Sequence, residues 1–326
     1  MMAELKDSYG RKISYLRISV TDKCNLRCRY CVSGKKFVLK KREEILSLEE
    51  SERIARVGAT LGITKIRFTG GEPLLRKGID YLIEKVSATP GISDVSLTTN
   101  GTLLKEYAVR LRESGLKRIN ISLDTLNPTK FEKMTGTNLW PRVMSGIEEA
   151  LIRFDKVKLN VVAIRGTNDD EILDFVKFVA DKPIGLRFIE FMPIGDNGWK
   201  PDQFLSSSFV KNRIERECEL KKIDQRSRSD SAELYQIDGF EGTLGFISAI
   251  THGFCKNCNR LRLTADGFLK PCLSSEVEID IKSEMRGGAS DDELAQLFMK
   301  ALALKPREHN LLGENGTKRR MFQIGG

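Results

Sequence analysis

The chain has 326 residues, of which 40% are hydrophobic, 30% charged and 7% aromatic, and its formal net charge is +9. That length can bury a full core and sets a soft expectation of two domains, while the composition excludes collagen-like, mucin-like and low-complexity chains. No apolar run approaches the length of a membrane span, and the N-terminal Met-Met-Ala-Glu-Leu-Lys-Asp lacks the apolar core of a secretory signal, so a cytoplasmic protein with no membrane partner is expected.

From residue 13 to about 195, short β-branched or apolar runs alternate with amphipathic helical runs. The predicted strands are Ile13–Val20, Thr64–Thr69, Asp94–Thr99, Lys117–Leu123, Val157–Ile164 and Gly185–Met192. Helices are predicted at Ser47–Leu61, Ile79–Ala88, Leu103–Glu113, Arg142–Phe154 and Asp169–Ala180, the first opened by a capping box of Ser47 and Glu50. Six β–α units in series call for parallel strands with right-handed crossovers. Six are too few for a closed eight-stranded barrel, so the expected fold is α/β, an open, curved partial (β/α)6 barrel. Beyond residue 195 the alternation fails. Ser206–Leu220 reads as a helix and Lys221–Ala232 as a polar linker. A smaller C-terminal domain is expected at 234–326, after a first domain at 1–233, with strands at Tyr235–Ile237 and Gly245–Ala249.

Function in such sheets gathers where the strands end. The first predicted strand ends at Cys24-Asn-Leu-Arg-Cys28-Arg-Tyr30-Cys31. Three thiols so spaced can hold three corners of a cubane iron–sulfur cluster and leave the fourth iron open for a small molecule. A zinc knot would need a fourth local ligand. Tyr30 is placed to lie against whatever occupies the open iron. The next strands end in Gly70-Gly71-Glu72, where the glycines allow close backbone approach, then in Thr98-Thr99-Asn100-Gly101, Ser122-Leu-Asp124 and Glu190-Phe-Met192.

Seven cysteines in a chain expected to lack disulfides need another explanation. Cys255, Cys258 and Cys272 form a second metal-binding triplet, either a Cys3His zinc site completed by His252 or a second open cluster. Cys218 reads as a bystander thiol. The net charge fits an acidic partner, nucleic acid or a small polyphosphate. Part of it sits in Lys35, Lys36, Lys40, Lys41 and Arg42 and in Lys318, Arg319 and Arg320. Arg17, Lys65, Arg67, Lys158 and Arg187 fall at strand positions expected to face the barrel interior, where several cations repel one another unless an anion is present. Arg260 and Arg262 alternate beside the second triplet, and guanidinium forks suit phosphate oxygens.

The loop Cys-x-x-x-Cys-x-Tyr-Cys matches in full the cluster loop of the radical S-adenosylmethionine (SAM) superfamily. With the second triplet, Arg17, Gly-Gly-Glu, Cys-x-x-Cys-Asn-Arg-Leu-Arg-Leu-Thr-Ala-Asp-Gly and a terminal Gly325-Gly326, the chain resembles the GTP 3',8-cyclase family of molybdenum cofactor (molybdopterin) biosynthesis from about residue 10 to its end. The resemblance implies two 4Fe-4S clusters, one at Cys24, Cys28 and Cys31 and one at Cys255, Cys258 and Cys272. It implies SAM held at Tyr30, Gly71, Ser122 and Met192, and GTP held by Arg17, Arg67, Thr98, Lys158, Arg260, Leu261 and Arg262, with Lys65 and Arg187 assisting. It gives Gly325 and Gly326, with Arg17, a part in turnover. The implied reaction joins ribose C3' to guanine C8 of GTP, begun by a 5'-deoxyadenosyl radical. The implied partners are GTP, a reducing electron donor such as flavodoxin or ferredoxin, and the next pathway enzyme, with a monomer or homodimer and no nucleic acid. Two other readings predict other features. A twin-cluster peptide-modifying enzyme calls for more C-terminal cysteines, and a basic metal-stapled RNA-binding module for aromatics interleaved with the positive charge.

Overall fold

Alternation along each strand sorts the residues before topology does. In β1 (Tyr15–Ser19) and β2 (Lys65–Thr69), Tyr15, Arg17, Ser19, Lys65, Arg67 and Thr69 share one face, while Leu16, Ile18, Ile66 and Phe68 take the other. β3 (Asp94–Thr99), β4 (Arg118–Ser122), β5 (Lys156–Ala163) and β6 (Ile184–Glu190) repeat the pattern. These come from a computed structural model that describes residues 5–32, 39–224, 231–312 and 316–325. Lys35, Lys36 and Gly326 lie outside the described residues.

The six strands are parallel and adjacent in chain order. Helices α1 (Leu48–Thr60), α2 (Ile79–Ser87), α3 (Leu104–Glu113), α4 (Pro128–Thr135), α5 (Trp140–Arg153) and α6 (Ile172–Phe178) connect them. Their apolar stripes, including Ile54, Ile83, Leu111, Ile147 and Phe175, form one core with the apolar strand face, the burial that holds an α/β layer together. The Ser47–Glu50 capping box is formed in both directions. Helix α4 was not expected from the sequence. Its start is fixed by the Asn127 cap and Pro128 in the first turn, but its eight residues carry too short an apolar stripe to be read as a period.

The later strands do not stand apart from this sheet. β9 (Thr243–Ile247) pairs parallel with β6, and β10 (Arg260–Leu263) pairs parallel with β1 at the opposite edge. The short strands β7 (Lys221–Lys222), β8 (Glu233–Gln236), β11 (Phe268–Lys270) and β12 (Ile279–Asp280) add antiparallel margins. The order of the twelve strands is β12-β11-β10-β1-β2-β3-β4-β5-β6-β9-β8-β7. Among the described residues no ladder joins β9 to β10, so the barrel is open, as expected. The segment expected as a linker contains β7, and the helix expected at Ser206–Leu220 is α7 (Ser207–Glu215). Two more helices, α8 (Ile281–Arg286) and α9 (Asp291–Ala303), follow β12, and α10 (Met321–Ile324) closes the described chain.

Candidate active site

Register brings the cations together. Arg17 stands between Arg67 on β2 and Arg262 on β10, with Tyr15 beside Lys65 and Arg260. These four guanidiniums therefore share one face, and the same register places Arg118 and Arg187 farther along it. Burial first, and then Arg262 alongside, holds Arg17 well below the usual arginine range. Burial and Arg260 bring Arg262 down to about 10. Tyr15 reports the same field: burial opposes its ionisation, yet Arg67, Arg17 and Arg260 outweigh that and lower its pKa. Concentrated positive charge in a partly desolvated site is stabilised by a bound polyanion. The hydroxyl of Thr98 and the amide oxygen of Asn160 are buried on the same face without a hydrogen-bond partner among the described residues. Gly185 and Gly245 leave room there, since a Cβ at each would sit 3.5 Å from Lys158 Cγ and 3.3 Å from Arg187 Cγ. Leu261 lies on the opposite face with no exposure, so its side chain belongs to the core and only its backbone borders the cations.

The first triplet follows the C-terminal end of β1. The cysteine loop is fastened from two sides. The peptide N–H groups of Arg27 and Arg29 donate to the carbonyls of Thr135 and Met134 at the end of α4, and Gly71 and Glu72 donate to Thr21 and Lys23 at 2.8 and 2.7 Å. The Gly-Gly pair was expected to admit a ligand, and the approach seen here is to this loop. A Cβ at Gly71 would lie 2.3 Å from the Lys23 carbonyl oxygen, and one at Gly70 2.5 Å from that of Thr21. Burial raises the Cys24 thiol to about 11 and the Cys31 thiol to about 12, and it carries Cys28 well above its usual range, with the neighbouring thiols adding repulsion. Such thiols fit an iron centre, because metal coordination replaces the proton that burial favours. Among the described residues no three His, Cys, Asp or Glu side chains gather around one ion-sized centre; a cubane spreads its thiolates over separate irons.

Tyr30 donates to Asp124 Oδ2 at 2.5 Å and meets Phe191 edge to face, ring centroids 6.1 Å apart. Burial lifts Asp124 to about 6 against the hydrogen bonds from Tyr30 and the Val162 N–H. Tyr30 and Phe191 line a cavity of about 480 Å3 with Arg29, Lys130, Met134 and Asn197, ample for a nucleoside-sized group. Ser122 ends β4 opposite Asn160 on β5. Met192 packs with Ile194, Leu311 and Ile324.

The second triplet lies at the other end of β1. Asn259, beside Cys258, accepts the N–H groups of Ser14 and Tyr15 at 3.1 Å. β1 has five residues, so the two cysteine groups are about one strand length apart, roughly 17 Å or more, and the cationic face runs between them. The first triplet thus lies at the rim where the strands end, and the second at the opposite end of β1. The exposed His252 meets Thr251 at 3.2 Å, whereas the histidine beside the triplet is His309. Its peptide N–H donates to Cys255 Sγ at 3.4 Å, and both ring nitrogens are buried without a hydrogen-bond partner among the described residues. That orphaned ring fits a further group at the triplet. Burial, and Cys272 and Cys258 nearby, raise the Cys255 thiol, while Lys305 and Arg260 outweigh burial at Cys258 and lower it.

Sequence spacing gave no sign of the residues that brace this site. Arg11 is buried, paired with Asp7 at 2.6 Å, and donates to the carbonyls of Cys255, Pro306 and Arg307. Lys305 Nζ donates to the carbonyls of Arg260 and Pro271. Arg319 forms a fork to Glu278 through Nε and Nη2, at 2.6 and 2.7 Å, and donates from Nη1 to both carboxylate oxygens of Asp266. It fixes the tail, whose Phe322 N–H lowers the Cys31 thiol against the larger effect of burial. The carbonyls of Ile324 and Gly325 accept from Arg262 Nη1 at 3.4 and 2.7 Å. The tail therefore lies from one cysteine loop to the guanidiniums that flank the other.

Residues 18–179 match the radical SAM superfamily and residues 184–311 match Molybdenum Cofactor Synthesis C. A protein of Moorella thermoacetica named GTP 3',8-cyclase is 46% identical over 99% of this chain and 100% of its own length. Proteins of that name from Alkaliphilus metalliredigens and Peptoclostridium acidaminophilum are 47% and 48% identical, each over 99% of this chain and over 100% and 98% of their own lengths. Among solved structures, Streptococcus suis SuiB bound to S-adenosylmethionine superposes with a TM-score of 0.57 at 17% identity. That match covers 82% of this chain and 63% of SuiB, and it is a likeness of fold.

Proposed function

Because the chain belongs to the GTP 3',8-cyclase family of radical SAM enzymes, we propose that it converts GTP to 3',8-cyclo-7,8-dihydro-GTP, the first step of molybdenum cofactor biosynthesis. The observation that carries this reading is one guanidinium-lined sheet face with a cysteine triplet at each end. When bound, the first cluster and SAM supply the radical that removes the ribose 3' hydrogen.

The protein's own contribution is grip, orientation and exclusion of water. Cys24, Cys28 and Cys31 hold one cluster, and Cys255, Cys258 and Cys272 the other. Arg17, Arg260 and Arg262 take the triphosphate, with Lys65, Lys158 and Arg187 assisting and Arg67 and Thr98 touching the nucleotide. Such a fork of charged donors fixes which hydrogen faces the radical, and a misplacement of about 1 Å is costly in rate. Tyr30, Gly71, Ser122 and Met192 border SAM, with Asp124 holding the Tyr30 ring in place. Gly325 lies in the tail segment that covers Arg262, and Gly325 and Gly326 take part in turnover. The division of labour follows the chain: 1–233 forms the SAM half, and 234–326 supplies the second cluster and the tail.

Lys23, Arg27 and Arg29 on the cysteine loop and Lys133 on α4 are exposed. They suit docking of a small acidic electron donor of the flavodoxin or ferredoxin class. The product leaves for the next pathway enzyme, in the cytoplasm. The test is anaerobic reconstitution with iron and sulfide, followed by product analysis with SAM and GTP. Two 4Fe-4S clusters and cyclised nucleotide are expected. Full SAM cleavage with GTP recovered unchanged would overturn the substrate assignment.

A further inference from the structure

Asn100 follows β3 and turns its amide toward the first cysteine loop, and the atoms around it fix which way the amide points. Its Oδ1 accepts the Thr102 N–H at 3.0 Å and the Thr102 hydroxyl at 2.7 Å. A peptide nitrogen only donates, so the oxygen must face Thr102 and Nδ2 must face the other way. There Nδ2 is 2.9 Å from Asn25 Oδ1 and 3.8 Å from Cys24 Sγ. Asn25 closes the ring of bonds by donating from Nδ2 to Thr102 Oγ1 at 2.8 Å.

The backbone is held as firmly as the side chain. The Asn100 N–H donates to Glu72 Oε2 at 2.7 Å, and the other carboxylate oxygen takes Thr99 Oγ1 at 2.7 Å and the Leu74 N–H at 3.0 Å. Glu72 has no exposure. Its carboxylate therefore serves as a buried strut joining the Gly-Gly-Glu turn to the end of β3, and Asn100 carries that rigidity to the sulfur.

We infer that Asn100 is a positioning residue whose amide N–H donates to the Cys24 thiolate and raises the reduction potential of the first cluster. The inference rests on the reading that Cys24, Cys28 and Cys31 hold a 4Fe-4S cluster. A hydrogen bond to a ligand sulfur draws charge away from it and favours the more negative, reduced cluster, one of the levers that set such potentials. The Leu26 N–H also reaches Cys24 Sγ, at 3.4 Å, so Asn100 adds a second donor to the same ligand.

The experiment is a potentiometric EPR titration of the full-length, anaerobically reconstituted protein. Cys255, Cys258 and Cys272 are replaced by Ala so that a single cluster is observed. In that background Asn100→Leu keeps the side-chain volume and removes the donor. It should retain the parent iron content and shift the reduced-to-oxidised equilibrium about tenfold toward oxidised, ~59 mV to lower potential for one electron. Thr102→Val removes one of the two bonds that orient the amide and should move the potential in the same direction by less. An unchanged potential in iron-loaded Asn100→Leu overturns the inference. If that variant takes up no iron, an unchanged potential in Thr102→Val overturns it. A parent that binds no 4Fe-4S cluster refutes the cluster reading instead, so the two failures are distinguishable.

Discussion

Replacing Gly325 with Ala tests whether the tail is seated on the cationic face by shape. Gly325 has φ +73, in the left-handed region, and a Cβ there would lie 2.4 Å from Thr69 Cγ2 and 3.4 Å from Ser19 Cβ. An L-residue in that conformation costs about 1–2 kcal/mol, and forcing a methyl against a packed β-branched side chain adds about 1–3 kcal/mol. Together these weaken docking by roughly 2–5 kcal/mol, and the lower figure is already about a 30-fold change in the docked population, at about 1.4 kcal/mol per tenfold. Hydrogen exchange at the amides of Phe322, Gln323 and Ile324 reads that population. We expect exchange at least about 30-fold faster in Gly325→Ala. Thr69→Ser removes the obstructing methyl and keeps the hydroxyl, so the double variant should recover the packing part and leave only the conformational cost, about tenfold. Exchange in Gly325→Ala equal to that of the parent refutes the reasoning, and so does a double variant no better than the single one.

Other outcomes follow from the same geometry. Arg262→Met should weaken GTP binding about 10- to 100-fold, the scale of a lost charge-assisted hydrogen bond, measured by equilibrium dialysis; unchanged affinity removes Arg262 from the phosphate site. Cys258→Ala should roughly halve the iron per chain and abolish cyclised product, checked by iron counting and chromatography. Burial raises Glu72 from 4.5 to about 7, so the folded chain binds its proton more tightly than the unfolded one. The associated stability is complete below about pH 4.5 and is lost as pH rises through about 7, up to about 3 kcal/mol. Denaturant unfolding of the cluster-free protein across that range should show a fall that Glu72→Gln removes; parallel curves would dismiss it. Arg11→Met strands the buried Asp7 carboxylate and should destabilise the chain by about 3–5 kcal/mol, read from the same unfolding transitions.

The sequence by itself determined whatever depends on near neighbours. Thiol spacing within one loop, the two-residue period that puts Arg17 and Arg67 on a polar face, and the Ser47–Glu50 cap are all set within a few residues. So the cysteine loops, the six strands and the open parallel sheet were legible from it. Only the tertiary structure placed β10 beside β1, which sets Arg262 against Arg17, and only it carried the tail back to Arg262. Pairing between strands 245 positions apart leaves no local trace, because register is decided by which faces must be buried together. The same holds for Arg11 and Lys305, whose targets are backbone carbonyls, and for Asn100, which faces sulfur only because the Thr102 N–H claims its oxygen. His309 reaches Cys255 across the C-terminal segment, while His252, close in sequence, points to solvent. Proximity along the chain located the thiols, and packing decided what surrounds them.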